Sequence, residues 1–272
     1  MAVRYDMEEQ MRLYNEDCIT EARKIKAESV DCMPCDPPFG IHEDKLDGVY
    51  NRKKKHVLKG YKTAPADYYT FSYNWLKEAY RILKPTGTLY VVSGWTNLHY
   101  LIKAAQDCGF LLLNEIIWKY NFGVYAKKKF VTSHYHILRL GKVKSPTFYR
   151  ECRFKSGEKS SSGRSLLYKD MEDVWIINRE YHRGQKKNAN KLPDELVKKM
   201  IQYATEEGDT VCDFFMGNFT SAYVAHGLNR KVIGFEFNKE AFDYHFPRLK
   251  SLKAGYLLKQ EDGVDEVEQK AA

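Results

Sequence analysis

Hydrophobic residues along the chain form short apolar runs that alternate with segments of helical periodicity. The runs predict six β-strands, over residues 29–35, 89–93, 111–119, 135–140, 210–214 and 231–237. Apolar spacing of three and four residues predicts five helices, over residues 67–83, 96–108, 193–206, 219–228 and 239–250. We expect Pro85 and Gly87 to end the first helix. This alternation is typical of an α/β fold, a Rossmann-like, doubly wound and mostly parallel sheet.

Two polar segments interrupt the alternation. Residues 42–62 contain a basic run, Arg52, Lys53, Lys54 and Lys55, which we interpret as a phosphate contact; a nuclear signal or a solvated loop has the same composition. Residues 142–190 hold 12 Lys and Arg against 6 Asp and Glu, so they carry +6 of the net charge of +8. We expect one domain over residues 1–272, with a small irregular region at about 142–190 and a disordered acidic tail at about 257–272.

Composition narrows the class of protein. A chain of 272 residues with 43% hydrophobic residues suits one sizeable globular domain, and a net charge of +8 favours a polyanionic partner. No apolar stretch is long enough to span a membrane, and the charged first residues lack the apolar core of a signal peptide. The six cysteines are scattered through apolar segments, which indicates reduced thiols in a cytoplasm.

The motif with the clearest chemistry follows the first predicted strand. Asp36, Pro37, Pro38 and Phe39 come directly after an apolar run, so they lie at the carboxyl end of a strand, where open α/β sheets place their sites. The prolines fix the backbone. A carboxylate and a fixed carbonyl can then accept hydrogen bonds from an –NH₂ group, and the aromatic ring can stack on a planar base. A proline-rich loop in which Asp36 caps local backbone would have the same sequence.

Carboxylates also follow two later strands. Asp213 ends one strand and precedes Gly217, which permits close backbone approach to a ligand before the next helix offers its free N–H groups. Glu236 ends the following strand, where an acid can bind both hydroxyls of a ribose. An ordinary strand-to-helix turn and a surface carboxylate are the alternatives. Asp17 taken by itself is best explained as the N-cap of a short helix.

These motifs resemble a known family. Asp36-Pro37-Pro38-Phe39 is similar to the signature of the amino-group DNA methyltransferases, and the resemblance extends over residues 12–250. Residues 13–18, 29–39, 83–90 and 129–134 resemble the β group, in which the catalytic half precedes the recognition region and the cofactor half comes last. Residues 213–220 then occupy the cofactor-loop position, where the family usually has Asp-Pro-Phe-x-Gly-Ser-Gly-Thr. The chain keeps four of these residues and departs at Phe214, Asn218 and Phe219.

The resemblance implies an enzyme that transfers a methyl group from S-adenosylmethionine to the exocyclic N6 of adenine in DNA after base flipping. It implies that Asp36 and the carbonyl of Pro37 accept hydrogen bonds from the amino group, and that Phe39 stacks on the base. It also implies a target-recognition region at about 142–190, DNA as partner, a homodimer, and a prokaryotic or phage-infected cytoplasm, in a DNA methylation or restriction–modification role. The implied cofactor-binding residues are Asp17, Asp213, Phe215, Gly217, Asn218, Thr220 and Glu236.

Other functions remain open from the sequence. Cytosine N4 presents an amino group to the same acceptors, although the family tends to place Ser rather than Asp before the two prolines in cytosine enzymes. An RNA methyltransferase and a catalytically weak nucleic-acid-binding protein are further alternatives. Cys32 and Cys35 form a Cys-x-x-Cys without a second ligand pair, so we interpret them as buried strand residues. His134 and His136 alternate on a strand and favour packing or a base-pocket contact over a metal site.

Overall fold

The computed structural model describes residues 4–7, 10–40, 65–121, 123, 125, 127–180 and 191–258. The basic run Arg52, Lys53, Lys54 and Lys55 lies outside the described residues, as do the end of the predicted recognition region and most of the predicted acidic tail. Leu257 and Leu258, the two tail residues that are described, pack against the hydrophobic core, so the folded part continues into that range. In the described part of the chain, no helix has the length and apolar character needed to cross a membrane.

A mixed sheet of nine strands among the described residues forms the centre of the fold. The strands are β1 Arg4–Met7, β2 Met11–Tyr14, β3 Val30–Cys35, β4 Leu83–Ser93, β5 Leu111–Lys119, β6 His134–Gly141, β7 Val174–Ile176, β8 Thr210–Asp213 and β9 Lys231–Phe235. Their order is β1-β2-β9-β8-β3-β4-β6-β5-β7. The run from β2 to β4 is parallel throughout, whereas β6 is antiparallel to both of its neighbours.

Helices cover both faces of this sheet. They are α1 Cys18–Glu21, α2 Tyr68–Ile82, α3 Leu98–Asp107, α4 Leu166–Asp170, α5 Asp194–Ala204, α6 Thr220–Gly227 and α7 Lys239–Lys250. One core cluster joins α1, α2 and α3 to the sheet, and a second joins α5, α6 and α7 to the opposite face. The predicted doubly wound α/β fold is therefore confirmed.

The predicted elements all have counterparts, with one notable error of position. Pro85 and Gly87 do not lie beyond α2 as breakers; they lie inside β4, which begins at Leu83. Leu83 pairs with Val30, so the chain passes from helix to strand without a loop. A Cβ on Gly87 would lie 3.0 Å from the carbonyl oxygen of Asp31, which shows why β4 needs glycine where it passes close to the backbone of β3. The short helix α1, with Asp17 as its N-cap, was predicted, whereas the short elements β1, β2, α4 and β7 were not.

A partly buried network of ion pairs and hydrogen bonds connects part of the predicted recognition region to α5. Oδ2 of Asp170, at the end of α4, accepts hydrogen bonds from Arg153 Nε at 2.9 Å and from Tyr203 Oη at 2.7 Å. Its Oδ1 atom accepts one from Lys199 Nζ at 3.2 Å, and Arg153 Nη1 donates to Gln202 Oε1 at 2.8 Å. Because Lys199 and Tyr203 belong to α5, this network fixes the position of α4 against α5.

Removing Asp170 should destabilise the protein strongly. Asp170→Ala takes the carboxylate from the buried ammonium of Lys199 and leaves Arg153 with Glu195 as its remaining carboxylate, and the loss of such a charged hydrogen-bond partner costs about 1.5–3 kcal/mol. Urea unfolding followed by circular dichroism measures the loss. Asp173→Ala is the matched control, since this carboxylate is exposed and should change stability by no more than about 0.5 kcal/mol. Equal stability of the two variants would contradict the role given to the network.

Candidate active site

Three carboxylates meet at one edge of the sheet because their strands are parallel neighbours. Asp36 follows β3, Asp213 ends β8 and Glu236 follows β9. The strand order reverses direction between β8 and β3, and the carboxyl ends of the strands at such a point form the usual ligand crevice of open α/β sheets. The edge therefore brings the predicted catalytic motif together with the predicted cofactor loop, although 177 residues separate Asp36 from Asp213 along the chain.

The loop that carries Asp36 is fixed by contacts from two helices. Asn97, the N-cap of α3, donates a hydrogen bond from Nδ2 to the carbonyl oxygen of Phe39 at 2.7 Å. Gly40 has a φ of 69°, and a Cβ there would lie 2.7 Å from the ring of Tyr68 on α2. The left-handed backbone and the lack of space both require glycine at position 40. Together with the hydrogen bond from Asn97, this restricts the backbone conformation of the loop 36–40.

The pKa of Asp36 is raised to about 8. Burial is the main cause, because it disfavours the charged form, and the negative charge of Asp213 adds to the effect. The positive charge of Arg179 acts in the opposite direction. Asp36 therefore changes between carboxylic acid and carboxylate in the pH range where enzymes work, which is typical of groups that handle protons.

A cluster of aromatic side chains lies beside the Asp36 loop. Phe39 meets Tyr135 edge to face, with ring centroids 5.3 Å apart. Tyr135 in turn contacts Trp118 at 5.7 Å and Tyr120 at 5.4 Å, and the guanidinium of Arg179 lies 4.6 Å from the centre of the Tyr120 ring. Phe39 was predicted from its motif, whereas the other four residues were not. The signal available was aromatic residues near one end of β5 and β6, but its meaning depended on the pairing of β5 with β6.

The acidic pair on the cofactor side organises its own loop. Glu236 accepts backbone hydrogen bonds from Gly217 at 2.6 Å and from Asn238 at 2.7 Å. Asp213 accepts one from the backbone N–H of Phe215 at 2.8 Å and another from the hydroxyl of Ser221. Burial raises the pKa of Asp213 to about 6 and that of Glu236 to about 7. These bonds fold residues 213–220 around the ends of β8 and β9.

The departures from the family pattern in this loop are accommodated by packing. Phe219 replaces a glycine of the pattern and keeps the left-handed backbone that glycine favours, with a φ of 60°. Its side chain is fully buried, stacked on His245 at 5.4 Å and edge to face with Phe242 at 5.6 Å. Phe214 is buried against Phe235. The bulky residues thus face the core, and the contact between Glu236 and Gly217 is kept.

The remaining predicted cofactor residues lie at the same edge with different contacts. Asp17 caps α1, because its Oδ1 atom accepts hydrogen bonds from the backbone N–H groups of Ile19 and Thr20 at 3.0 and 3.1 Å. Thr220 and Asn218 are buried at the start of α6, and the hydroxyl of Thr220 donates to the carbonyl of Leu192. The half-buried Phe215 packs its ring on Trp75 and Phe71 of α2, toward the core.

The donor and acceptor set of this edge fits a cationic nucleoside ligand. Glu236 offers a carboxylate for ribose hydroxyls, and Gly217, with a φ of 51°, has no side chain to keep a ligand from the backbone. Asp213 and Glu236 both have raised pKa values, so a neighbouring positive charge would favour their ionised forms. S-adenosylmethionine has both a ribose and a positive sulfonium.

Comparison with known proteins agrees with this geometry. The profile of the N6/N4 methyltransferase family, described as DNA methylase, matches residues 30–246. The Type II methyltransferase M.HpaI of Haemophilus parainfluenzae is 28% identical over 261 residues, which cover 94% of this chain and 77% of that protein. The DNA adenine methyltransferase YhdJ of Escherichia coli K12 is 28% identical over 249 residues, which cover 86% of this chain and 80% of that protein.

Solved structures share the fold at lower identity. The PvuII DNA methyltransferase, described as cytosine-N4-specific, superposes with a TM-score of 0.65 at 18% identity, covering 91% of this chain and 95% of that one. The complex of M1.HpyAVI with SAM superposes with a TM-score of 0.60 at 21% identity, covering 89% and 100% of the two chains. The fold, the family match and these relatives together show that the chain is an S-adenosylmethionine-dependent methyltransferase that belongs to the N6/N4 DNA methylase family.

Proposed function

We propose that this enzyme methylates the exocyclic N6 amino group of adenine in DNA, with Asp36 and the carbonyl of Pro37 as acceptors of the amino hydrogens. The observation that supports this most directly is the position of Asp36. It is a partly buried carboxylate on a loop of fixed backbone, at the same sheet edge as Asp213 and Glu236, with the ring of Phe39 beside it. An acceptor, a stacking surface and a cofactor loop are the three parts that amino methylation needs.

The chemistry follows from what this chain's residues can hold. Bound S-adenosylmethionine supplies an electrophilic methyl group. The two N–H groups of the amino group donate hydrogen bonds to the carboxylate of Asp36 and the carbonyl of Pro37, which directs the nitrogen lone pair toward the methyl carbon. As the nitrogen–carbon bond forms and the carbon–sulfur bond breaks, the nitrogen becomes positive and its proton becomes acidic. Asp36 then stabilises that charge and, with a pKa of about 8, can accept the proton before solvent removes it.

The target base has to leave the duplex to reach this loop. Phe39 offers a ring for stacking beside Asp36, and its edge contact with Tyr135 holds it in place. The energy for extrusion comes from binding of the rest of the DNA. We assign that binding to the predicted recognition region at about 142–190 and to the run Arg52–Lys55, and we place the enzyme in the cytoplasm of a bacterium or phage-infected cell.

Methylation of cytosine N4 is the second candidate. The structural neighbour with a TM-score of 0.65 is described as cytosine-N4-specific, and both bases present an –NH₂ group to the same acceptors. Adenine is favoured by the Asp before the two prolines and by the description of the YhdJ relative as a DNA adenine methyltransferase. Mass spectrometry of nucleosides from DNA methylated by the purified enzyme separates the two: N6-methyladenine supports the proposal, and N4-methylcytosine overturns the choice of base.

Substitution of Asp36 should abolish methyl transfer while binding survives. Asp36→Ala removes the acceptor and its charge, and the loss of positioning and charge stabilisation should reduce the rate by about 10³-fold or more. Asp36→Asn keeps one acceptor and should give an intermediate rate. Tritiated-methyl incorporation into DNA measures the rate, with cofactor and DNA affinities determined on the same preparations. Asp243→Asn, at an exposed position on α7, is the matched control. Near-normal transfer by Asp36→Ala would exclude the proposed mechanism.

Cofactor affinity should depend on Glu236. Its carboxylate would make charge-assisted hydrogen bonds to two ribose hydroxyls, each worth about 1.5–3 kcal/mol, so Glu236→Ala should weaken S-adenosylhomocysteine binding at least about tenfold. Titration calorimetry measures the affinity. Glu240→Ala, an exposed acid in the first turn of α7, should bind like the wild type. Unchanged affinity in a folded Glu236→Ala protein would move the ribose site elsewhere.

DNA affinity should fall steeply as salt concentration rises. Each phosphate contact adds about −0.9 to the slope of log affinity against log salt, because its formation releases condensed counterions from the DNA. Lys144→Gln and Arg164→Gln, both exposed in the predicted recognition region, should each make the slope shallower by about one unit. Lys239→Gln, exposed on α7, should leave it unchanged. An affinity that does not respond to salt, or a slope that responds only to Lys239→Gln, would contradict this assignment of the DNA-binding surface.

A further inference from the structure

Arg179 has a fixed position next to the catalytic loop. It lies three residues beyond the end of β7, and two hydrogen bonds tie the intervening chain to β5: Trp118 Nε1 donates to the carbonyl of Ile177 at 2.8 Å, and the N–H of Ile177 donates to the carbonyl of Lys119 at 3.1 Å. The backbone of this part of the predicted recognition region is therefore held against the strand that carries Trp118 just before Arg179.

The guanidinium of Arg179 is held by rings. Its central carbon lies 4.6 Å from the centre of the Tyr120 ring and 5.5 Å from that of Tyr135, and Nη2 donates to Tyr135 Oη at 3.2 Å. The Nε atom is buried and makes no hydrogen bond to a described residue. Among the described residues, no carboxylate forms an ion pair with it. A purely structural arginine at the edge of a core is usually neutralised by such a carboxylate.

Two connections lead from Arg179 to the reacting loop. The first is mechanical, since Tyr135 takes the hydrogen bond from Arg179 and packs its ring against Phe39 at 5.3 Å. The second is electrostatic, since the positive charge of Arg179 opposes the burial that raises the pKa of Asp36. The other described groups whose charges couple to Asp36 are Asp213 at the end of β8 and the phenol of Tyr68 on α2. Arg179 is the cation of this set.

We infer that Arg179 is a positioning residue for methyl transfer: it holds Tyr135 against Phe39 and supplies a positive charge that favours the ionised form of Asp36 when the target base enters. The inference rests on the proposed role of Asp36. It assigns a function to a residue inside the predicted recognition region that reaches the Asp36 loop through Tyr135 and Phe39. The ionised carboxylate is the form that accepts the amino hydrogens, so methyl transfer rises with pH as Asp36 loses its proton. Loss of the Arg179 charge moves that rise to higher pH.

The test is the pH profile of single-turnover methylation, with saturating S-adenosylmethionine and DNA, across about pH 6 to pH 10. Arg179→Met keeps an apolar stem on the tyrosine rings and loses the charge. The acid limb of its profile, which is the pH range over which the methylation rate rises, should move up by about one pH unit. At pH values below this range, the rate should be about tenfold lower than that of the wild type. Arg179→Lys should restore the wild-type limb at least in part. Tyr135→Phe should keep the limb, because the charge remains, while lowering the maximal rate.

The matched control is Arg248→Met, because Arg248 also lies over a tyrosine ring, 4.1 Å from the centre of Tyr244, but on α7. It should leave the profile unchanged. Folding is checked by melting temperature and by S-adenosylhomocysteine affinity, and Arg179→Gln replaces Arg179→Met if the latter does not fold. An acid limb that stays in place in the folded charge-free variant overturns the inference, as does a defect that Arg179→Lys shares in full.

A phosphate contact by Arg179 is the alternative that the same variants expose. It would appear as weaker DNA binding and a shallower salt slope, with the single-turnover profile unchanged at saturating DNA. That result overturns the positioning role. Failure here is distinct from failure of the proposed function: if Asp36→Asn abolishes the acid limb and Arg179→Met does not move it, only this inference falls. If Asp36→Asn transfers methyl groups like the wild type, the proposed function falls first.

Discussion

Parallel pairing of β8 with both β3 and β9 is the constraint on which the rest of the site depends. Hydrogen bonding between Cys32 and Val211 and along residues 210–213 and 231–234 fixes the three strands in register. Each strand then ends at the same edge, and a carboxylate follows or ends each one. The pairing of these strands positions the three carboxylates relative to one another. Helices on both faces of the sheet bury the strands. A change that shifts any of the three strands would separate the loop of Asp36 from the loop 213–220.

Burying three carboxylates at one edge has an electrostatic consequence. Asp36, Asp213 and Glu236 all have raised pKa values, and the charge of Asp213 raises the values of the other two. Backbone N–H groups and a hydroxyl partly offset the cost at Asp213 and Glu236, whereas Asp36 has the charge of Arg179. Binding of a cation beside such a cluster favours the ionised forms. The edge is therefore suited to a positively charged cofactor and to a reaction in which positive charge develops on the substrate nitrogen.

Much of this site could be predicted from the sequence because its signals are local. An apolar run followed by Asp36-Pro37-Pro38-Phe39 identifies both the strand and its end, and the same reasoning identified Asp213 and Glu236. The first residue of β4 was predicted wrongly because proline and glycine usually end regular structure, whereas here Leu83 is already paired with Val30. That pairing joins residues 53 positions apart, and no local pattern reveals it.

Other features depended on contacts that only the fold creates. Phe219 has a left-handed backbone conformation, which glycine adopts most readily, at a position where the family pattern has glycine. Its burial against Phe242 and His245 on α7 explains how the larger residue is accommodated. Tyr135 and Arg179 come from different segments and meet beside Phe39 because β6 pairs with β5 and β5 with β7. The sequence motif identified the loop of Asp36 and Phe39, whereas the side chains that contact this loop are brought there by the pairing of distant strands.

The central claim is that Asp36 receives the target amino group at the edge where the cofactor binds. A structure of the enzyme with an inert S-adenosylmethionine analogue and a DNA duplex that contains the recognition site tests it most directly. We expect an adenine rotated out of the duplex beside Phe39, with its N6 atom about 3 Å from both an Asp36 carboxylate oxygen and the Pro37 carbonyl oxygen. We also expect the analogue's ribose at Glu236. A target base bound away from Asp36, with its amino group held by other residues, would contradict the account.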